Sequence, residues 1–409
     1  MTYLDHAATT PMLRQAVAAM SEALARTGNA SSLHSAGRAA RRTVEESRES
    51  VAEALGARPS EVVLTGGGTE GDNLAIKGIF WARRAADPRR TRLLVSAVEH
   101  HAVLETAEWL VTHEGAELEP LEVDALGRVR PEVLRAALSA APERTALVSV
   151  MWANNEVGTV NPVGELAAVA HEFDVPLHTD AVQAVGAVPV HFAESAADAL
   201  TLTGHKLGGP YGQGALLLRR DVDCVPLLHG GGQERDVRSG TLNVPAVLGL
   251  AVAVRHATAE LPRRAPELTA LRDELVRRVL EAVPDAVLNG DPGHGVIAGG
   301  PSRLPGNAHL SFPGCEGDSL IMLMDARGIE CSTGSACTAG VARPSHVLLA
   351  MGADEATARG SLRFSLGHTS LPADVDEVAA AIGPVVERAR RAGQVGGRQA
   401  VGVGSPGGG

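Results

Sequence analysis

A chain of 409 residues with a formal charge of −11 makes a poor general ligand for nucleic acid or anionic membranes, though a local basic patch survives such an average. Its 44% hydrophobic and 21% charged residues suit a globular protein with room for two cored domains. No basic-plus-apolar leader opens it and no run of about 20 apolar residues offers a bilayer span, so cytoplasm is the expected location. Four cysteines without a CxxC pair exclude a disulfide framework and a zinc knuckle.

The first half alternates helical and strand periodicity. "RQAVAAMSEALAR" and "RAARRTVEESRESVAEALG" carry helical spacing. "EVVLTGGGTEGDNLAIKGIFWARRA" reads as strand, glycine turn and helix. "RLLVSAVEHHAVLETAEWL" and "RTALVSVMWANNEVGTVNPVGELAAVAHEF" repeat strand then helix. The strands "VPLHTD", "ADALTLTGHK" and "GALLLR" follow. Short apolar runs between turns are expected of strands covered on both faces, so the class is α/β with a mostly parallel sheet. From Val244 to Arg277 a long helix is expected, broken near "LPRRAPE". Beyond it, "NAHLSF", "GIEC" and "GSLRFSLG" read as strands and "DVDEVAAAIGPVVERARRA" as a closing helix. The expected domains are a large one over 13–261 and a smaller α+β one over 262–391 that also takes residues 1–12. The glycine-rich tail 392–409 is expected to be disordered.

Chemistry-bearing residues fall at the ends of successive strands, where open α/β sheets place their sites. Only two lysines stand among 37 basic residues, and Lys206 follows a strand and precedes a glycine turn. Arginine cannot form a Schiff base, so a retained lysine stands out, although a solvent-facing lysine is the plainer reading. Gly66, Gly67, Gly68 and Thr69 lie between a strand and a helix. Their amides and hydroxyl would cradle a phosphate, or simply make a tight turn with Thr69 as cap. Neither a P-loop nor a dinucleotide fingerprint fits the spacing. Asp180 ends a strand, as a pyridinium partner or as a helix cap, with Gln183 close behind. Asn155, His100 and His101 follow other strands. A phosphate cradle, a carboxylate, a lysine and a neighbouring histidine at one rim suit pyridoxal phosphate. In "GIECSTGSACTAG" the cysteines Cys331 and Cys337 remain open to four roles: metal ligand, disulfide half, buried filler or nucleophile.

Together, "NNEVG", "HTDAVQAVG", "GHKLGGPYGQGAL", "RSGTLNVP" and "STGSACTAG" resemble the cysteine desulfurases of the nitrogenase-associated and housekeeping iron–sulfur type. The resemblance runs from "YLDHAATTP" to "SLRFSLG". It implies the type I fold of pyridoxal-phosphate-dependent transferases, with a mostly parallel seven-stranded sheet, a smaller domain and a homodimer. It implies that Lys206 binds pyridoxal 5'-phosphate covalently and removes the Cα proton, that His100 stacks on the ring and does acid–base work there, and that Asp180 pairs with the ring nitrogen. Gln183 and Asn155 would partner the ring hydroxyl and its surroundings. Gly68, Thr69, Thr203 and His205 would hold the phosphate, with Thr241 supplied by the other protomer. Arg363 and Asn155 would hold the substrate carboxylate, and Cys337 would take sulfur from L-cysteine as a persulfide, leaving L-alanine. Acceptors implied are an iron–sulfur scaffold protein or a tRNA-thiolating enzyme. Cys331 departs from the small residue of many relatives. Buried filler, a resolving thiol and, with Cys337, a ligand of a transient cluster are its readings; no resident metal is expected. Rival readings are a selenocysteine lyase or aminotransferase of the same fold, and a non-catalytic assembly scaffold.

Overall fold

The computed structural model describes residues 1–297, 299–334 and 344–400, the backbone alone over 392–400. The chain opens with the short strand β1 (Thr2–Tyr3) and helices α1 (Arg14–Leu24) and α2 (Ser35–Ala54). Strand and helix then alternate through β2 (Val62–Thr65), α3 (Gly68–Ala86), β3 (Arg92–Ser96), α4 (His101–Glu114), β4 (Glu117–Leu121) and α5 (Pro131–Ala140). They continue through β5 (Thr145–Ser149), α6 (Val163–Glu172), β6 (Leu177–Asp180), α7 (Phe192–Ser195), β7 (Ala199–Thr203) and β8 (Gly214–Leu218).

These strands form one seven-stranded sheet in the order β2-β8-β7-β6-β5-β3-β4. The pairs from β7 to β4 are parallel, whereas β8 runs antiparallel to both β7 and β2. The inner strands β3, β5, β6, β7 and β8, and the edge strand β2, are buried along their whole length, because helices cover both faces. Sequence reading passes over β4. It is an edge strand with two glutamates, only Leu121 fully buried, and Pro120 inside, which only an edge tolerates.

Helix α8 (Val244–Ala282) is continuous through Pro262 and Pro266, where a break was expected. The two prolines are four positions apart, so their missing amides fall about one turn apart on one side. Among the described residues it is the one helix long and apolar enough, by length and composition, to cross a membrane, against the expectation of no such run. Alanines and valines of its first half are core residues, and α1 and α2 pack along it, which explains the apolarity without a bilayer.

The remaining elements are short strands β9 (Val287–Leu288), β10 (Val296–Ile297) and β11 (Gly300–Pro301), then β12 (Asn307–Ser311), α9 (Gly317–Asp325) and β13 (Ile329–Glu330). The chain closes with α10 (His346–Ala350), α11 (Glu355–Arg359), β14 (Ser361–Ser365) and α12 (Pro372–Ala400). Strands β14, β12 and β9 make a three-stranded antiparallel sheet. β1 pairs in parallel with β13, and Leu4 is buried among residues of α9, α12 and β12. Helix α12 runs past residue 391 to Ala400, where the reading of the sequence placed the start of the tail; residues 401–409 lie outside the described residues.

Candidate active site

β6 ends on Asp180, β7 on Thr203 and β2, beyond antiparallel β8, on Thr65, so the carboxyl ends of three strands face one rim. After β2 the chain turns through Gly67, at φ 147°, into α3. No side chain caps that helix, so its first amides stay free for an outside acceptor. A Cβ on Gly68 would stand 2.9 Å from the Val182 methyl, and glycine keeps that approach open. A cleft of about 350 Å³ opens there. Gly68, Thr69, Thr203 and His205 line one part of it; His100, Asn155, Asp180, Gln183, Lys206 and Arg363 line the rest. Its lining also includes Ser332, Gly334 and His346.

Lys206 donates to the backbone oxygens of Ala7 and, at 2.9 Å, Ala8. Burial pushes its pKa down to about 8; the Arg363 cation adds to this, and Asp5 and Asp180 oppose it. The amine therefore loses its proton far more readily than an exposed lysine. Asp180 moves the other way. Burial raises it to about 6, against the Val182 amide, 2.8 Å from Oδ1, and against Lys206.

His100 caps α4: its Nδ1 accepts the Ala102 amide at 3.1 Å. That bond needs a lone pair on Nδ1, so the neutral ring carries its proton on Nε2. Enclosure lowers its pKa to about 4, with Lys206 contributing next, and the ring is neutral at pH 7.

Arg363, on β14, is not an idle clamp. Nη1 donates to the Asn155 carbonyl at 2.9 Å and Nη2 to Asp5 at 2.8 Å, while buried Nε has no partner. Gln183 donates to the Ala7 carbonyl at 2.9 Å. His205 Nδ1 lies 3.3 Å from Thr9 Oγ1, and its ring stacks with Tyr211.

Thr241 is exposed and does not line this cleft. It follows a loop in which Glu234, Arg235 and Asp236 all have positive φ. Cys337 lies outside the described residues. Described residues on either side of 335–343 are anchored at the rim: Ser332 bridges Arg363 in the backbone, and Ser345 donates to Glu156 at 2.5 Å. Cys331 is half-buried against the small sheet's core, and burial pushes its thiol up to about 12. Cys224 is likewise pushed up to about 12, and Cys315 is buried. Among the described residues no cluster of His, Cys, Asp or Glu could hold a metal ion.

Sequence reasoning overlooked Asp72, Glu156, His346 and Asp5, which lie within or beside the cleft. Each sits outside a strand end, and only the fold brings it in. His346 packs on His101 with ring centroids 5.0 Å apart.

The class-V aminotransferase family model matches residues 2–378. An IscS-like cysteine desulfurase of Mycobacterium tuberculosis is 59% identical, over 96% of this chain and 98% of that protein. A solved NifS-like protein superposes with a TM-score of 0.85 at 33% identity, over 95% of this chain and all of the other. The solved structure of SspA in complex with cysteine gives a TM-score of 0.75 at 32% identity, over 90% of this chain and 99% of that one.

Proposed function

The chain belongs to the class-V aminotransferases, in the cysteine desulfurase family, and on that premise we propose how its own residues convert L-cysteine into L-alanine and a transferable persulfide. Membership implies pyridoxal 5'-phosphate, and the cleft suits it. A free helix N-terminus beside Thr69, Thr203 and His205 matches a phosphate. Asp180, with Oδ1 on an amide, presents a carboxylate to a ring nitrogen. Lys206 supplies an amine for covalent attachment. When bound, the cofactor would supply the electron sink that lets the Cα–H and C–S bonds of cysteine break.

Lys206 is then the base for the Cα proton, suited by a pKa of about 8. Neutral His100, its ring fixed by the cap bond, presents an Nε2–H to the cleft as a hydrogen-bond donor. Arg363 meets the substrate carboxylate. To do so it exchanges its bond to Asp5, or adds one at the unpartnered Nε. The Cys337 thiolate attacks the substrate sulfur. An S–S bond forms as the C–S bond breaks, and the methyl of alanine takes up a proton.

Cys331, with its thiol pushed up, stays a buried filler. Exposed Thr241 acts across a homodimer on the partner's phosphate. We assign the sulfur to an iron–sulfur scaffold protein or a tRNA-thiolating enzyme, and the work to the cytoplasm. The observation that carries this reading is Lys206 and Asp180 facing one cleft with the phosphate cradle.

The test is incubation with L-cysteine, with and without a thiol reductant, measuring alanine and the mass of Cys337. Stoichiometric alanine with one added sulfur on Cys337 supports the reading. Cofactor-loaded protein that forms no alanine refutes the substrate assignment.

A further inference from the structure

Three carboxyl groups gather at the cleft, nearly shut off from water: Asp180 and Asp72 line it, and Glu99 is buried beside them without lining it. Asp180 ends β6, Asp72 belongs to α3, and Glu99 precedes α4; they are 5%, 1% and 0% exposed. Asp72 Oδ1 and Glu99 Oε2 have no hydrogen-bond partner. The other oxygen of Glu99 accepts the Met151 amide. Asp180 acts electrostatically on both neighbours, and Glu99 acts on Asp72.

Few cations face this group. His178 shares the Asp180 face of β6, because side chains two apart on a strand point the same way. It is fully buried, between Ser149 Oγ at 2.9 Å and Thr201 Oγ1 at 3.0 Å, and 3.5 Å from Asp72 Oδ1. Burial holds its pKa down to about 3, so it offers no charge. His100, from the start of α4, is also neutral at pH 7. His346 bonds the backbone carbonyl of Glu99 at 2.9 Å, not its carboxyl. Among the described residues no arginine bonds to any of the three acids. Lys206 remains, and it acts on Asp180. A buried carboxylate needs a counter-charge or donors; Asp72 has the Thr201 hydroxyl and Glu99 the Met151 amide, neutral donors that leave one oxygen of each acid unpartnered.

We propose that Glu99 and Asp72 stay protonated as uncharged acids, so that the cluster bears one negative charge, on Asp180. They are positioning residues: their neutrality sets how firmly Asp180 holds a proton on the ring nitrogen of bound pyridoxal phosphate. A second charge in this low-dielectric cluster would drive Asp180 itself to take the proton, and the ring nitrogen would lose its partner. The inference rests on the cofactor reading given above.

The experiment is infrared spectroscopy of the cofactor-loaded protein at pH 7 to 8, beside its visible absorption spectrum. The native protein should show the carbonyl stretch of protonated carboxylic acids. E99Q and D72N should each remove part of that band, and E99Q should leave the cofactor's absorption maximum and affinity within about two-fold of native. No acid band in the native protein overturns the proposal, whatever the variants do. So does a ten-fold or larger change in cofactor affinity in E99Q with the fold intact, because a neutral isostere then replaced a charge. Borohydride distinguishes the two readings: failure to fix cofactor on Lys206 refutes the cofactor site, whereas fixed cofactor without an acid band refutes only the charge assignment.

Discussion

Lys206 and Asp180 shift in opposite directions for one reason: burial favours the uncharged form of each. For Lys206 the result is an amine able to accept a proton near neutral pH. Replacing it by alanine should abolish covalent cofactor attachment and alanine formation while leaving the far-ultraviolet spectrum unchanged. For Asp180 the result is a stability cost. Its folded pKa of about 6 lies above the 3.8 of an ordinary aspartate, so the native state binds its proton more tightly than the unfolded chain. Stability therefore falls as pH rises from about 4 to 6, and the deficit persists above 6. Cofactor-free D180N should be more stable than cofactor-free native protein at pH 7, by about 3 kcal/mol, and lose that advantage below pH 4. A D180N that melts lower at pH 7 would contradict this. Cys337→Ser should keep the coloured cofactor and form no persulfide, read by mass spectrometry; an unchanged alanine rate would refute its role.

At the scale of elements, the loop before Thr241 shows what holds an unfavourable backbone in place. Glu234, Arg235 and Asp236 have φ of 47°, 58° and 64°, a region that side chains other than glycine rarely enter. Buried Arg48, on α2, holds the loop by two bonds to Glu234, at 2.6 and 2.7 Å. The same carboxylate accepts the Leu64 amide of β2 at 2.7 Å, tying the loop to the sheet. Arg238 adds a pair with Glu70 at 2.7 Å, next to the phosphate cradle. Glu234→Ala leaves Arg48 buried without its partner and should cost about 3–5 kcal/mol in urea unfolding. Asp236→Gly relieves the backbone and should gain up to about 1 kcal/mol. If both variants left the midpoint unmoved, the loop would not be under this tension.

At the scale of the molecule, the first residues serve two parts at once. Leu4 is buried in the core of the small sheet, β1 pairs with β13, and the Ala7 and Ala8 carbonyls receive Lys206. Leu4→Ala should lose about 2–5 kcal/mol of stability. It should also weaken cofactor retention, because the same segment positions the amine. Hydrogen exchange would place the loosening in β12 and α12; loosening confined to α1 and α2 would argue against the shared role. β1 to β13 is a pairing across most of the chain, which no local pattern announces.

What the sequence by itself determined is local in origin. Apolar runs between turns specify buried strands, and the glycines before α3 specify an open helix start. The placement of Asp180, Thr203 and Lys206 at strand ends follows from those runs. The unbroken passage of α8 through Pro262 and Pro266, and edge strand β4, escaped because tertiary packing and edge position overrode local preference. Only the tertiary structure decided that Asp5 engages Arg363, that Ala7 and Ala8 receive Lys206, and that Asp72 and Glu99 share a dry cluster with Asp180. Those relations depend on distances between segments far apart in the chain, and on exclusion of water. Burial, which a residue's own letter does not encode, is what turns an ordinary acid, amine or imidazole into a shifted one.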